Sequence, residues 1–265
     1  MTSTDKPKVC ILRMEGTNNE LEAYEAFESV GLEPVYVHLN ELKSNHYRLE
    51  EFDIIFIPGG FSAGDYVRAG ILFASRLKSI AFRELLKFVD EGKPVIGICN
   101  GFQVLAEIGL LPSTVKISRD LVLSHNDSNL YECRYTYVKF SSSNPILGAM
   151  GRLRDRYVIP VAHAEGKIVI RGGDRSIENL EENGQIVMQY CNDKGELEGY
   201  PWNPNGSAKN IAGISNESGN VIGIMPHPER MADPNITYYG YKQTTPVGLH
   251  FFNSLKEYII TNIHG

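Results

Sequence analysis

The chain has few cysteines, no long apolar run and no block of like charge, and each absence excludes a class of protein. None of its four cysteines forms a C-x-x-C pair, so we expect reduced thiols rather than a disulfide scaffold. No apolar stretch approaches the ~20 residues of a membrane-spanning helix. The 26 basic and 32 acidic residues give a net charge of −6, without the footprint of a nucleic-acid-binding or membrane-surface protein. Together with a polar N-terminus, these features predict a cytoplasmic protein.

The order of apolar and amphipathic segments predicts an α/β fold in a single domain spanning residues 1–265. Strand-like runs in the first half alternate with helical patterns: 9–14, 34–39, 52–57 and 94–98 as strands, and about 20–30 and 79–91 as helices. The first helix is predicted to open with a capping box at 17–20. This βαβ order is typical of a parallel sheet. Beyond Pro112 shorter strand-like runs follow, so the second half is predicted to be β-rich, with a closing helix over about 247–263.

The strongest chemical signal is Gly97-Ile98-Cys99-Asn100-Gly101, where a buried strand turns into a helix. This is the form of a nucleophile elbow, in which glycines flank the nucleophile because side chains there would clash with the neighbouring strand and helix. A helix N-terminus also stabilises negative charge on a thiolate. Cys99 is therefore a candidate nucleophile, although a buried core cysteine is the alternative. The core interpretation is favoured for Cys10, Cys133 and Cys191.

A nucleophile that attacks an acyl carbon needs two N–H groups to hold the developing oxyanion. Pro58-Gly59-Gly60 follows a buried strand and offers one candidate donor, although two glycines also suit an ordinary tight turn. Elbow geometry requires the second donor to be the N–H of Asn100, the residue after the nucleophile.

The general base must be a histidine oriented by a third group, and two of the seven histidines precede a glutamate by two residues. These pairs are His227 with Glu229 and His163 with Glu165. The first pair follows the cleaner buried strand and is flanked by prolines, although its carboxylate can contact the imidazole only if the segment turns. The spacing favours His227 and leaves His163 open.

Three of these segments resemble the signatures of the class I, or triad-type, glutamine amidotransferases. They are Gly97 to Gln103, Pro58-Gly59-Gly60-Phe61-Ser62 and Pro226-His227-Pro228-Glu229-Arg230. The Asn-Gly-Phe-Gln continuation of the elbow is similar to that of the PurQ family, the glutaminase subunits of phosphoribosylformylglycinamidine synthase. Further similar segments cover almost the whole chain: 16–18, 126–128, 131–134, 161–166 and 203–207.

The resemblance implies a catalytic triad of Cys99, His227 and Glu229, which selects His227 over His163. It also implies a doubly wound, mostly parallel, flavodoxin-like sheet flanked by helices, and an oxyanion hole at Gly60 and Asn100. Three residues are implied as substrate contacts: Gln103, Asn126 and Tyr131. His163 and Glu165 would lie near the active-site mouth or a partner interface.

The same resemblance implies the reaction and the partners. Glutamine would be hydrolysed to glutamate and ammonia, and a PurL-type synthetase, with or without a small PurS-type protein, would use the ammonia to convert formylglycinamide ribonucleotide to formylglycinamidine ribonucleotide. No metal or cofactor is expected in this chain, and ATP and magnesium would belong to the synthetase. Asn19 and Ala164 depart from the family pattern, in which cysteine and glycine are more frequent, and neither is expected to touch the triad.

Two other interpretations remain open at this point. A cysteine peptidase or deglycase of the DJ-1/PfpI type would share the architecture and the elbow cysteine. Alternatively, the chain could be a catalytically inactive regulatory subunit that binds glutamine.

Overall fold

A nine-stranded mixed sheet forms the centre of the fold in a computed structural model that describes residues 6–233 and 246–265. The strands are β1 (Lys8–Arg13), β2 (Glu33–His38), β3 (Ile54–Ile57), β4 (Val95–Ile98), β5 (Leu121–Ser124), β6 (Glu132–Phe140), β7 (Tyr157–His163), β8 (Lys167–Ile170), β9 (Ile186–Cys191), β10 (Ile211–Ser215) and β11 (Val221–Ile224). The helices are α1 (Glu20–Ser29), α2 (Leu39–Lys43), α3 (Ile71–Asp90), α4 (Asn100–Ile108), α5 (Gly148–Leu153), α6 (Asp174–Glu182) and α7 (Val247–Asn262).

The strand order β2-β1-β3-β4-β11-β10-β9-β6-β7 divides the sheet into two parts. The strands from β2 to β11 pair in parallel, whereas β10, β9, β6 and β7 extend the sheet with antiparallel pairs. A separate antiparallel pair joins β5 to β8. The predicted α/β fold is confirmed, and the β-rich second half is this antiparallel extension with the small pair.

The central parallel strands bring three chemically important segments to one edge of the sheet. β3, β4 and β11 are short and buried at every residue, as expected for strands covered on both faces. Ile57 pairs with Gly97 and Ile98 pairs with Ile224. Because parallel strands end on the same side, the segments that follow, at 58–60, 99–101 and 226–229, meet at their carboxyl ends.

The far end of the antiparallel extension returns to this same edge. The N–H of His227 donates to the carbonyl of Pro160 in β7 at 2.9 Å. The Cys99 sulfur lies 3.5 Å from the carbonyl oxygen of Ala162, also in β7. β7 therefore borders the elbow, which follows β4, although four strands lie between β4 and β7 in the sheet order.

Three local predictions were wrong. Helix α1 begins at Glu20 without the capping box, because the Thr17 hydroxyl accepts the N–H of Met14 instead. Helix α3 begins at Ile71, well before 79, because its buried face already starts with Phe73, Ala74 and Leu77. Cys133 is exposed, whereas Cys10 and Cys191 are buried as predicted.

Across residues 6–233 and 246–265, none of the helices has the length and apolarity to cross a bilayer.

Candidate active site

Cys99 occupies a strained turn between β4 and α4. Its backbone has φ 52° and ψ −105°, in the left-handed half of conformational space that non-glycine residues rarely adopt and that costs about 1–3 kcal/mol. The N–H of Cys99 donates to the carbonyl of Ile224 at 2.8 Å, which ties the turn to β11. A Cβ on Gly101 would lie 1.9 Å from the Ile57 carbonyl oxygen, and one on Gly97 would lie 2.5 Å from the backbone of Gly101. Both flanking glycines are thus required by close packing, as an elbow demands.

His227 and Glu229 form a buried pair beyond the end of β11. His227 Nδ1 lies 2.5 Å from Glu229 Oε1, and both side chains are almost fully buried. The segment turns into a short 3-10 helix, Pro228–Met231, which supplies the bend that the sequence required for this contact. Burial alone lowers the pKa of His227, but the charges of Glu229 and the Cys99 thiolate, together with their hydrogen bonds, raise it to about 9. The imidazolium is therefore stabilised at neutral pH, as suits a group that protonates a leaving amine.

The His227 imidazole and the Cys99 side chain both lie next to Gly59. A Cβ on Gly59 would lie 2.8 Å from Cε1 of His227 and 3.5 Å from Cβ of Cys99. The two side chains thus flank the same glycine, and the absence of a side chain there lets them approach each other.

The predicted oxyanion donors follow the residues that border this space: Gly60 follows Gly59, and Asn100 follows Cys99. Gly60 has φ +137°, and a Cβ there would lie 2.5 Å from the Asn18 nitrogen, so only glycine suits the position. The neighbouring N–H of Phe61 is already bonded to the Gly16 carbonyl. Asn100 is the first residue of α4, whose N–H has no partner within the helix. The role of both N–H groups as oxyanion donors stays a prediction.

The Asn100 side chain links the oxyanion loop to the elbow. Its oxygen accepts the N–H of Ser62 at 3.3 Å, and its amide donates to Asp65 at 3.1 Å and to Gln103 at 2.9 Å. The Gln103 amide donates in turn to the carbonyl of Glu165 at 2.7 Å. Gln103 is therefore buried and bonded within the protein at both ends of its amide, and its predicted contact with substrate remains untested.

Asp65 is a site residue that the sequence reasoning missed. It lies in the turn Ser62–Asp65, in which Ala63, Gly64 and Asp65 all have positive φ. Partial burial, followed by the nearby charge of Glu165, raises the pKa of Asp65 to about 6. No local motif marks this residue, because the raised pKa arises from burial in the folded chain and from a carboxylate distant in sequence.

Asn126 holds His163 in place and has no capacity left for a substrate. Its oxygen accepts from His163 Nδ1 at 3.0 Å and from the Gly166 N–H at 3.2 Å. Its amide donates to the carbonyls of Leu130 at 2.9 Å and His163 at 2.8 Å. An asparagine side chain offers two donors and two acceptor positions, and all four are used. The geometry does not support a direct contact between this side chain and glutamine, because the loop turns the amide inward.

Tyr131 lies at the exposed rim of the site. Its ring is tilted at 30° to that of Phe61, with centroids 6.3 Å apart, and both rings are about half exposed. Partial burial, and then the nearby Cys99 thiolate, raise the pKa of Tyr131. Its position is compatible with the predicted substrate contact, which stays a prediction.

Asn19 contacts Glu229, a residue of the predicted triad, contrary to the expectation from the sequence. Its amide nitrogen lies 3.4 Å from Glu229 Oε1, and its oxygen accepts from Arg230 at 3.2 Å. Its backbone N–H donates to the carbonyl of Gly59 at 3.2 Å. Asn19 therefore joins the Glu229 carboxylate to the loop that follows β3, a link made across 210 positions that spacing could not reveal. Ala164, the other departure, has an exposed side chain.

Comparisons with known proteins agree with this geometry. A CobB/CobQ-like glutamine amidotransferase domain matches residues 6–259. The phosphoribosylformylglycinamidine synthase subunit PurQ of Picrophilus torridus is 46% identical over 240 residues, which cover 91% of each chain. The corresponding subunit of Archaeoglobus fulgidus is 43% identical and covers 95% of this chain and 97% of its own.

The chain belongs to the PurQ family of glutamine amidotransferases. A chain of the PurLQS structure from Thermotoga maritima matches it with a TM-score of 0.74 and 33% identity, covering 96% of this chain and 99% of that one. Family membership decides between the interpretations left open by the sequence, in favour of the glutamine amidotransferase over a DJ-1/PfpI-type enzyme.

Proposed function

We propose that this chain is the glutaminase subunit of phosphoribosylformylglycinamidine synthase, hydrolysing glutamine and supplying the ammonia for formylglycinamidine ribonucleotide synthesis. The PurQ relatives bear the name of that synthase. A PurL-type synthetase is the partner, together with a PurS-type small subunit, because the similar Thermotoga maritima chain comes from a PurLQS structure.

One observation carries the chemistry: the Cys99 thiol, on a strained elbow, and the buried His227 imidazole both lie beside Gly59. The Glu229 carboxylate orients this imidazole, with Oε1 lying 2.5 Å from Nδ1. The Cys99 thiolate attacks the carboxamide carbon of glutamine, and the N–H groups of Gly60 and Asn100 stabilise the oxyanion. His227 protonates the departing ammonia, which leaves a γ-glutamyl thioester. His227 then activates a water that hydrolyses the thioester, while Glu229 keeps the imidazole in the productive tautomer.

The location of the chain is part of the proposal. All four cysteines are free, and stable disulfides belong to oxidising compartments. We therefore place the protein in the cytoplasm.

The assembled synthase provides the test. Cys99→Ala should abolish synthesis from glutamine but leave synthesis from added ammonium salt unchanged, because the synthetase still receives its nitrogen. Mass spectrometry should detect a γ-glutamyl adduct or an alkylating glutamine analogue on Cys99 of the wild type. Glutamine-dependent synthesis that survives the substitution would refute the assignment and would favour a regulatory glutamine-binding role.

A further inference from the structure

His163 is a buried imidazole that the mechanism above does not use. It is 2% exposed, and its Nε2 atom has no hydrogen-bond partner among the residues that the structure describes. Buried polar atoms are nearly always bonded to protein, water or a ligand, since leaving one unpaired costs about 1–3 kcal/mol. This nitrogen therefore needs a partner that the described part of the chain does not supply.

The opposite edge of the ring determines which nitrogen carries the proton. His163 Nδ1 lies 3.0 Å from the Asn126 oxygen, which also accepts the Gly166 N–H. The orientation of that amide is set by its two donated bonds to carbonyl oxygens. Because an oxygen faces Nδ1, Nδ1 carries the hydrogen and Nε2 presents a lone pair.

The ring is also held rigidly and stays neutral. A Cβ on Gly166 would lie 2.7 Å from His163 Nδ1, so this glycine packs directly against the imidazole. Burial, with smaller contributions from the positive charges of His227 and Arg134, lowers the pKa of His163 to about 3. Nε2 is thus an acceptor throughout the neutral pH range, and the partner it lacks is a donor.

The strand that carries His163 borders the reacting atoms. Ala162, the residue before it, has its carbonyl oxygen 3.5 Å from the Cys99 sulfur. Pro160 of the same strand accepts the N–H of the catalytic His227. A carboxamide attacked by the thiol would bring an N–H donor to this side of the site.

We infer that His163 Nε2 accepts a hydrogen bond from the carboxamide nitrogen of bound glutamine and from the ammonia that this nitrogen becomes. The inference rests on the proposed glutaminase function. His163 transfers no proton: the electron pair of the oxyanion returns to the carbonyl, the C–N bond breaks and His227 supplies the proton to the leaving nitrogen. The product glutamate carries a carboxylate with no N–H, so the same lone pair disfavours product rebinding. His163 is therefore a determinant of amide specificity.

The test combines His163→Asn with a substrate that lacks the donor, in the assembled synthase. Asparagine can keep the bond to Asn126, since its amide nitrogen replaces Nδ1, but it provides no atom in place of Nε2. Glutamate γ-methyl ester retains the acyl carbon and has no N–H on its leaving group. We expect His163→Asn to lower kcat/KM for glutamine about tenfold and to leave kcat/KM for the ester within about twofold of wild type.

Two further variants separate this role from a structural one. His163→Gln, with an oxygen near the position of Nε2, should hydrolyse glutamine faster than His163→Leu, and the two should hydrolyse the ester equally. An equal loss on both substrates, or no loss on glutamine in His163→Asn, would overturn the inference. A wild-type complex that hydrolyses neither substrate would overturn the proposed function and this inference with it.

Discussion

Gly59 lies between the His227 imidazole and the Cys99 elbow, and an added methyl group there is expected to separate them. Its Cβ would lie 2.8 Å from His227 Cε1. Carbon atoms pack at about 3.5–4.0 Å, so the ring must move by roughly 1 Å to accommodate Gly59→Ala. The backbone at Gly59 lies outside the left-handed region, so alanine adds crowding without conformational strain.

A displacement of about 1 Å in a catalytic group can lower the rate about 10²-fold. We therefore expect kcat/KM for glutamine hydrolysis by the assembled synthase to fall by about two orders of magnitude in Gly59→Ala. Overpacking should lower the free energy of unfolding by about 1–3 kcal/mol, which urea denaturation would measure. In the wild type, the rate at which a thiol reagent modifies Cys99 should change with pH as His227 titrates. In Gly59→Ala this pH dependence should be lost.

Gly64→Ala is the matched control, because it introduces the same methyl group into the neighbouring turn. A Cβ there meets nothing within 4 Å, although φ is +66°. It should therefore cost about 1–2 kcal/mol of backbone strain while the active-site spacing is retained. Glutaminase activity near wild type in Gly59→Ala, or an equal loss in Gly64→Ala, would refute the packing argument.

Two further predictions concern residues whose roles emerged only from the structure. Asn19→Ala removes a donor to Glu229 and an acceptor from Arg230, so kcat/KM for glutamine should fall about 3–10-fold; the exposed Ala164→Gly serves as control, and equal rates in both variants would contradict the link. The raised pKa of Asp65 means that its charged form is disfavoured in the folded state, so the contribution of Asp65 to stability should decrease as pH rises from 3.8 to about 6. The free energy of unfolding of Asp65→Asn minus that of wild type, measured by urea denaturation, should therefore be larger at pH 7.5 than at pH 4. After allowance for solvent screening, we expect this increase to be about 1 kcal/mol. A difference that does not change with pH would refute the assignment.

The elbow and the central strands could be predicted because their requirements are local. The flanking glycines of Cys99 prevent contacts with backbone that is adjacent once the strand turns into the helix, so they are visible within five positions. The runs 54–57, 95–98 and 221–224 are apolar throughout because both faces of a parallel sheet are covered. The helix boundaries were less certain, since the Thr17 hydroxyl can cap a helix or bond to the preceding turn, and the structure uses the second option.

The roles of Asn126 and Asn19 could not be predicted, because each depends on a partner far along the chain. Asn126 bonds to residues of the 163–166 segment, which β6 and β7 bring beside it. Asn19 reaches Glu229 only because α1 begins next to the loop that follows β3. A polar side chain near a motif has the same appearance in a sequence whether it faces a ligand or the protein.

The sequence by itself predicted the nucleophile and its glycine supports and identified the family, since these depend on residue types at short fixed spacings. Only the tertiary structure decided which polar groups are already bonded and which remain open. Hydrogen-bond capacity is used up by contacts between distant segments, and these follow from the order of strands in the sheet. For that reason Asn126, with its amide fully bonded, and His163, with a lone pair still unpartnered among the described residues, could be told apart only in three dimensions.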